Sequence, residues 1–271
     1  MRALPRLSLA ALIVCGALTA AAPAVRADED ADRAQRWQAL SHAVFGARPL
    51  QDGSAILALQ APKRADDAAL VPITITTTHG AEVKGLYLLV DDNPAPMAAH
   101  FTFGPAADPS EIRLRIRVNQ YTDIHAVAEG RDGRLYEVAQ FVKAAGGCSA
   151  PAGASVADAL KGIGQMKLRS LQAFAPGKPV QVQLLVRHPN FNGMQMDQVT
   201  QLYTLARFIN TIDVTYAGAQ VFHLDSDISM STDPAITFSF VPKEKGDLHV
   251  TAHDTDNAVF TKDFDLPAQG S

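Results

Sequence analysis

The chain has 271 residues, 47% of them hydrophobic, and a formal net charge of −4. Length and apolar content suit one large core or two modest ones and exclude general disorder, while the acidic balance argues against nucleic acid as a partner. Of its two cysteines, Cys15 lies in an N-terminal leader, which leaves Cys148 without an internal disulfide partner.

Arg2 and Arg6 precede an apolar run from Leu7 to Ala22, and Val25-Arg26-Ala27 forms a small-residue cleavage site before Asp28-Glu29-Asp30. This is the grammar of a secretion signal over residues 1–27, with no membrane span left in the mature chain. The run is too short, and too broken by Gly16 and Pro23, for a permanent anchor. The leader carries three arginines and no acid, so its removal takes the net charge from −4 to −7.

From Asp32 to Phe45, Ala34, Trp37, Leu40 and Val44 recur at helical spacing with arginines and glutamines between them. The pattern predicts one short amphipathic helix packed on the sheet that follows, with Trp37 in the contact. From Ala55 the period falls to two. Pro72 to Thr78, Gly85 to Val90, Ile112 to Val118, Ile124 to Glu129 and Leu135 to Val142 read as strands, punctuated by Asp91-Asp-Asn-Pro94, Gly104-Pro105 and Asp108-Pro109 turns. In Ile112-Arg-Leu-Arg-Ile-Arg-Val118 the aliphatic residues face one side. Arg113, Arg115 and Arg117 face the other, which reads as a solvated outer sheet face with acidic cross-strand neighbours, the alternative being an anion-binding row.

The strand from Leu135 runs directly into Lys143-Ala-Ala-Gly-Gly-Cys148-Ser-Ala-Pro-Ala-Gly-Ala154. Glycine and alanine dominate this stretch, so Cys148 is expected to be solvent-exposed on slack backbone and to react readily with a thiol reagent. Five residues from Lys143 extend about 17 Å, enough to enter another protein's cleft, although a tether at both ends roughly halves that reach. A flexible linker over 149–164 marks the domain boundary. Beyond it the strand grammar repeats: Met166 to Leu171, Val180 to Val186, Phe208 to Tyr216, Gln220 to Leu224, Ile236 to Phe240, Leu248 to His253 and Ala258 to Phe264. Short strands at turn-punctuated spacing, without βαβ rhythm, indicate an all-β sandwich.

The chemistry is spare. His249 and His253 stand four apart on a strand, about 13 Å from each other, so no metal site is expected of them. His223, Asp225, Asp227, Asp254 and Asp256 read as turn and surface residues. Gly-rich phosphate loops, Gly-x-Ser-x-Gly elbows and Cys-x-x-Cys pairs are absent from the sequence. Nothing local to Cys148 supplies an oriented base or a helix N-terminus, so the chain is read as a non-enzyme without a cofactor.

Several strings in order resemble a known pair of families. Gly46-Ala-Arg-Pro49, Val71-Pro-Ile-Thr-Ile75, Asp92-Asn-Pro-Ala-Pro96, Phe101-Thr-Phe103, Ala126-Val-Ala-Glu-Gly130 and Gly146-Gly-Cys148 resemble SoxY. Arg187-His-Pro189, Asn192-Gly193, Arg207-Phe-Ile-Asn210, Ser229 to Pro234 and Gly246-Asp-Leu248 resemble SoxZ. The resemblance implies two Ig-like β-sandwich domains in tandem, SoxY-like over 28–148 and SoxZ-like over 165–271. It also implies a periplasmic carrier that holds sulfur intermediates covalently on Cys148, with Gly146 and Gly147 as its arm. The expected partners are periplasmic redox or sulfur-metabolising enzymes. A fused chain is similar to the SoxYZ-like carriers associated with quinoprotein, PQQ-dependent dehydrogenases, which adds such a dehydrogenase or a c-type cytochrome as a partner. It also opens the alternative of a non-covalent adaptor that makes no use of the thiol. Three features depart from the family pattern: Ser149-Ala-Pro151 follows the cysteine instead of two glycines, the cysteine is internal, and the leader lacks adjacent arginines.

Overall fold

The computed structural model describes residues 22–266, apart from 79, 151–154, 173, 176, 198–199 and 244. The expected leader up to residue 21, and part of the expected linker, lie outside the described residues.

A helix, α1 (Ala22–Phe45), comes first. Eight strands follow: β1 (Leu50–Asp52), β2 (Leu57–Gln60), β3 (Val71–Thr77), β4 (Val83–Val90), β5 (Met97–Phe103), β6 (Ala107–Ile116), β7 (Thr122–Gly130) and β8 (Leu135–Val142). After a single helical turn, α2 (Val156–Ala159), come β9 (Met166–Ser170), β10 (Val180–Val186), β11 (Ile209–Tyr216), β12 (Ala219–Ser226), β13 (Ala235–Phe240), β14 (Asp247–Asp254) and β15 (Val259–Asp265). The periodicity placed twelve of these strands within a few residues. β5 escaped it because Met97-Ala-Ala-His buries both alanines and so breaks the alternation.

Two sheets face each other, and each passes through both halves of the chain. One runs β1-β8-β7-β4-β5-β12-β11-β14-β15, the other β2-β3-β6-β13-β10-β9. The seam in the first is the antiparallel pair β5 and β12, with Phe103 opposite Phe222 and Phe101 opposite Leu224. The seam in the second is β6 and β13, with Ala107 opposite Phe240. Pairing edge to edge in this way hides two strand edges per half that would otherwise be open to aggregation. The inward residues of both sheets, from Ile73 and Ile112 to Phe222 and Val250, form one continuous core.

A second apolar cluster lies outside that sandwich. Leu89, Val127, Leu135 and Phe45 are buried there, with Trp37, Leu40 and Val44 of α1 packed on them. The helix covers the outer face of β4 and β7, which explains why those strands carry apolar residues on both faces. Arg33 and Arg36 pin it by ion pairs to Asp123 and Asp92, both at 3.0 Å.

Candidate functional site

Beyond Val142 the chain loses its strand partner but is not slack. Lys143 donates its amide to the Lys63 carbonyl at 3.0 Å and accepts from Ala65 at 3.1 Å. Gly146 adopts a φ of +79°, a conformation glycine enters without strain. Its amide donates to the Asn119 carbonyl at 2.8 Å, and that of Gly147 to the Val118 carbonyl at 3.0 Å. Gly147 is required by close approach: a Cβ there would overlap the Ala68 carbonyl oxygen and lie 2.6 Å from that of Val118.

These contacts turn Cys148 inward, and its exposure is 0%. The expectation of an exposed thiol on slack backbone is therefore corrected. Glycines that read as slack in sequence are here the residues small enough for three backbone segments to meet. The second half completes the seat. The Asn192 Nδ2 donates to the Cys148 carbonyl at 2.6 Å, and the Gln195 Nε2 to the Ala150 carbonyl at 3.3 Å. The arm is thus clasped between the halves.

Arg117 lies alongside, and it too departs from expectation. Arg113 and Arg115 are exposed on the outer face of β6, with Arg113 paired to Glu111 at 2.8 Å. β6 ends at Ile116, however, and Arg117 turns in to only 2% exposure. Its amide donates to the Ser229 carbonyl at 2.8 Å, while its guanidinium donates to the Ile228 carbonyl at 3.3 Å and to that of Met230. Asn93 braces the bend: its Nδ2 donates to the Arg117 carbonyl at 2.7 Å and to the Ser229 hydroxyl at 2.8 Å, and its Oδ1 accepts from the Asn119 amide at 2.8 Å. Among the described residues no carboxylate pairs with Arg117, and its Nε has no hydrogen-bond partner.

Burial pushes the Cys148 thiol up to about 11, against the pull of the Arg117 charge. Burial likewise brings Arg117 down to about 10, with Cys148 opposing. At neutral pH the seated thiol is protonated, with roughly one molecule in ten thousand ionised, and since the thiolate is the nucleophile the seated sulfur is chemically quiet. Moved into water it returns toward its ordinary value of about 8.5 and gains more than a hundredfold in thiolate.

His223 and His249 are engaged on the sheet faces. His249 bonds Asp263 at 2.6 Å across β14 and β15, and His223 bonds Asp213 at 2.7 Å and Asp225 at 3.2 Å, so His223 and Asp225 are strand residues and not turn residues. No group of three metal-ligating side chains occurs among the described residues.

Two family models match the chain in tandem. The model of the sulfur oxidation protein SoxY matches residues 41–148, ending on Cys148, and that of the sulphur oxidation protein SoxZ matches 168–265. The chain is a SoxY domain fused to a SoxZ domain. Its SoxY domain supplies Arg117 and the cysteine arm, and its SoxZ domain supplies Asn192, Gln195 and the carbonyls that hold Arg117. No curated protein matches the chain. Among solved structures, the sulfur carrier protein SoxY from Chlorobium limicola f thiosulfatophilum is 29% identical over 43% of this chain and 98% of that one, with a TM-score of 0.37. A beta-glycosidase from Bacteroides vulgatus matches at 9% identity over 78% of this chain and 24% of its own, with a TM-score of 0.25. A glycosyl hydrolase family 2 member from Bacteroides cellulosilyticus DSM 14838 matches at 10% identity, 73% and 24% coverage and a TM-score of 0.21.

Proposed function

We propose that this fused SoxYZ chain is a periplasmic, non-catalytic thiol carrier that holds a sulfur-containing group covalently on Cys148 and presents it to partner enzymes. The observation that carries the reading is positional: the SoxY match ends on Cys148, whose Gly146-Gly147 arm leaves the end of β8 at the seam with SoxZ. In this reading the buried arrangement is the resting state of the unloaded carrier. Joining the thiol to a second thiol-level sulfur as an S–S bond removes two electrons and two protons. The partner that loads it is therefore an oxidising enzyme, and a periplasmic redox protein such as a c-type cytochrome is the matching electron acceptor. Loading and delivery require the arm to leave its seat. That seat consists of a handful of hydrogen bonds worth about 1 kcal/mol each, so docking of a partner suffices to open it.

A second reading is favoured by the burial of Cys148. A thiol sealed at 0% exposure suits an adaptor that binds a quinoprotein, PQQ-dependent dehydrogenase through its sheet faces and leaves the sulfur unused. Mass spectrometry of the protein from its native host separates the two. An adduct on the Cys148 peptide supports the carrier and names its cargo. Full partner function in a Cys148→Ser variant eliminates it in favour of the adaptor.

A further inference from the structure

The two sheets of the sandwich carry opposite charge on their outward faces. On the six-stranded sheet the register sets Thr74, Arg113, Thr237, Gln183 and Arg169 in one row across β3, β6, β13, β10 and β9, with Arg115 and Lys167 in the next row. The four basic side chains are all exposed. Glu111 neutralises Arg113 at 2.8 Å and accepts from the Gln181 side chain at 2.7 Å. Among the described residues Arg115, Lys167 and Arg169 have no ion pair, so this face is positive although the chain as a whole is negative. On the nine-stranded sheet the outward positions of β11, β12, β14 and β15 hold Asp213, Asp225, Asp247, Asp263 and Asp265, and no lysine or arginine. Lys262 is in register with buried Val250 and belongs to the other side of β15. Across the core β6 lies against β5 and β12, so β13-β10-β9 run over β12-β11-β14. The charged patches therefore stand back to back, on sheets about 10 Å apart.

We propose that the basic face of one copy of this chain docks on the acidic face of a second, so that copies stack head to tail through their sheet faces. Charge complementarity names the occupant, since the acidic patch has the sign and the four-strand width that the basic patch requires. The two patches lie on opposite sides of one sandwich, so the contact is heterologous and repeats along a stack instead of closing into a dimer. Four strands at about 4.8 Å spacing, with three outward residues each, make a patch of about 400 Å². That is half of the roughly 800 Å² per partner of a stable interface, so the contact is transient, driven by charge and sensitive to salt. The Cys148 arm sits at the strand ends, off both faces, and stacking does not cover it. The proposal stands independently of the carrier reading.

Sedimentation velocity on the full chain tests this. In about 20 mM salt, where the Debye length is roughly 20 Å, the mean mass should climb with protein concentration past that of a dimer, and in about 0.5 M salt it should fall to that of one chain. Arg115→Glu, Lys167→Glu and Arg169→Glu together make the basic face acidic. Asp225→Lys, Asp247→Lys and Asp263→Lys together turn the acidic face net positive. Each triple variant alone should stay monomeric in low salt, and an equimolar mixture of the two should associate again. Every substituted side chain is exposed. Should either variant fail to fold, the salt and concentration dependence of the native chain still decides. A native chain that is monomeric in low salt, a plateau at a closed dimer, or association that survives reversal of either face overturns the proposal. A monomer that binds poly-glutamate assigns the basic face to a different acidic partner and overturns it equally.

Discussion

The Trp37 indole lies flat on the His125 imidazole, ring centroids 3.6 Å apart and planes 6° from parallel. His125 is buried, which by itself lowers its pKa, but Asp91 at 3.2 Å and Glu137 at 2.6 Å overcome that and raise it to about 9. The contact is thus an indole on an imidazolium, and it fastens α1 to the outer face of the nine-stranded sheet. A raised folded pKa stabilises below the unfolded value near 6.5 and loses that stabilisation as pH climbs through about 9. We expect the stability difference between the native chain and His125→Asn to be roughly 2–3 kcal/mol at pH 6 and to decline steadily to pH 10. Thermal melts across that range measure it, and a pH-independent difference refutes the charged stack.

Gly146 and Gly147 are adjacent but predict opposite outcomes. Alanine at 146 meets nothing closer than the Ser149 hydroxyl at 3.8 Å and suffers only the positive φ, about 1 kcal/mol. Alanine at 147 collides with the backbone of Ala68 and Val118, neither of which is a flexible side chain. Gly147→Ala should therefore unseat the arm and bring alkylation of Cys148 close to the rate of a free thiol. Gly146→Ala should accelerate it only about fivefold, in line with its strain. Equal rates in the two variants would show that the seat does not depend on close approach.

Sequence alone conveyed the strands well and the seat poorly. The alternation in Val180-Gln-Val-Gln-Leu-Leu-Val186 or Ile112 to Ile116 is local, set by one apolar face, and survives folding unchanged. The seams β5 with β12 and β6 with β13 are contacts between residues more than a hundred positions apart, which no periodicity records. Arg117 was misplaced because alternation was carried one residue too far, past Ile116 into a bend set by Asn93 and Ser229. Cys148 was misplaced because glycine means two things, freedom where the backbone is open and fit where it is crowded, and only the neighbours of Gly147 decide between them. The one hint was compositional: free cysteine is among the most buried residue types.

Asn192 is the SoxZ side of the clasp. Its Nδ2 holds the Cys148 carbonyl at 2.6 Å and its Oδ1 accepts from the Met194 amide at 3.0 Å. Loss of the bond to the arm costs about 1–1.5 kcal/mol, so Asn192→Ala should raise the iodoacetamide rate at Cys148 about tenfold. Because the seated thiol is held up at about 11, opening also becomes easier as pH rises above about 8.5 and the exposed thiol ionises. Rates measured at pH 7 and pH 9.5 in both proteins test the pair of effects. An Asn192→Ala rate no faster than the native one at either pH would remove the SoxZ domain from control of the arm.

Phe222 joins the halves. Its ring meets Phe101 of the SoxY domain at 5.4 Å and Phe238 of the facing SoxZ strand at 4.9 Å, both edge-on. Truncation to alanine empties a site that both domains and both sheets share, at a cost of about 3–5 kcal/mol. The single tryptophan, Trp37, lies on the SoxY side, so its fluorescence follows that domain while far-UV dichroism follows every strand. With the sheets continuous across the seam, Phe222→Ala, a change in SoxZ, should lower the denaturation midpoint of the Trp37 signal by as much as that of the dichroism. A Trp37 transition left at its native midpoint while the dichroism shifts would mean that the two domains unfold independently, and that the seam does not couple them.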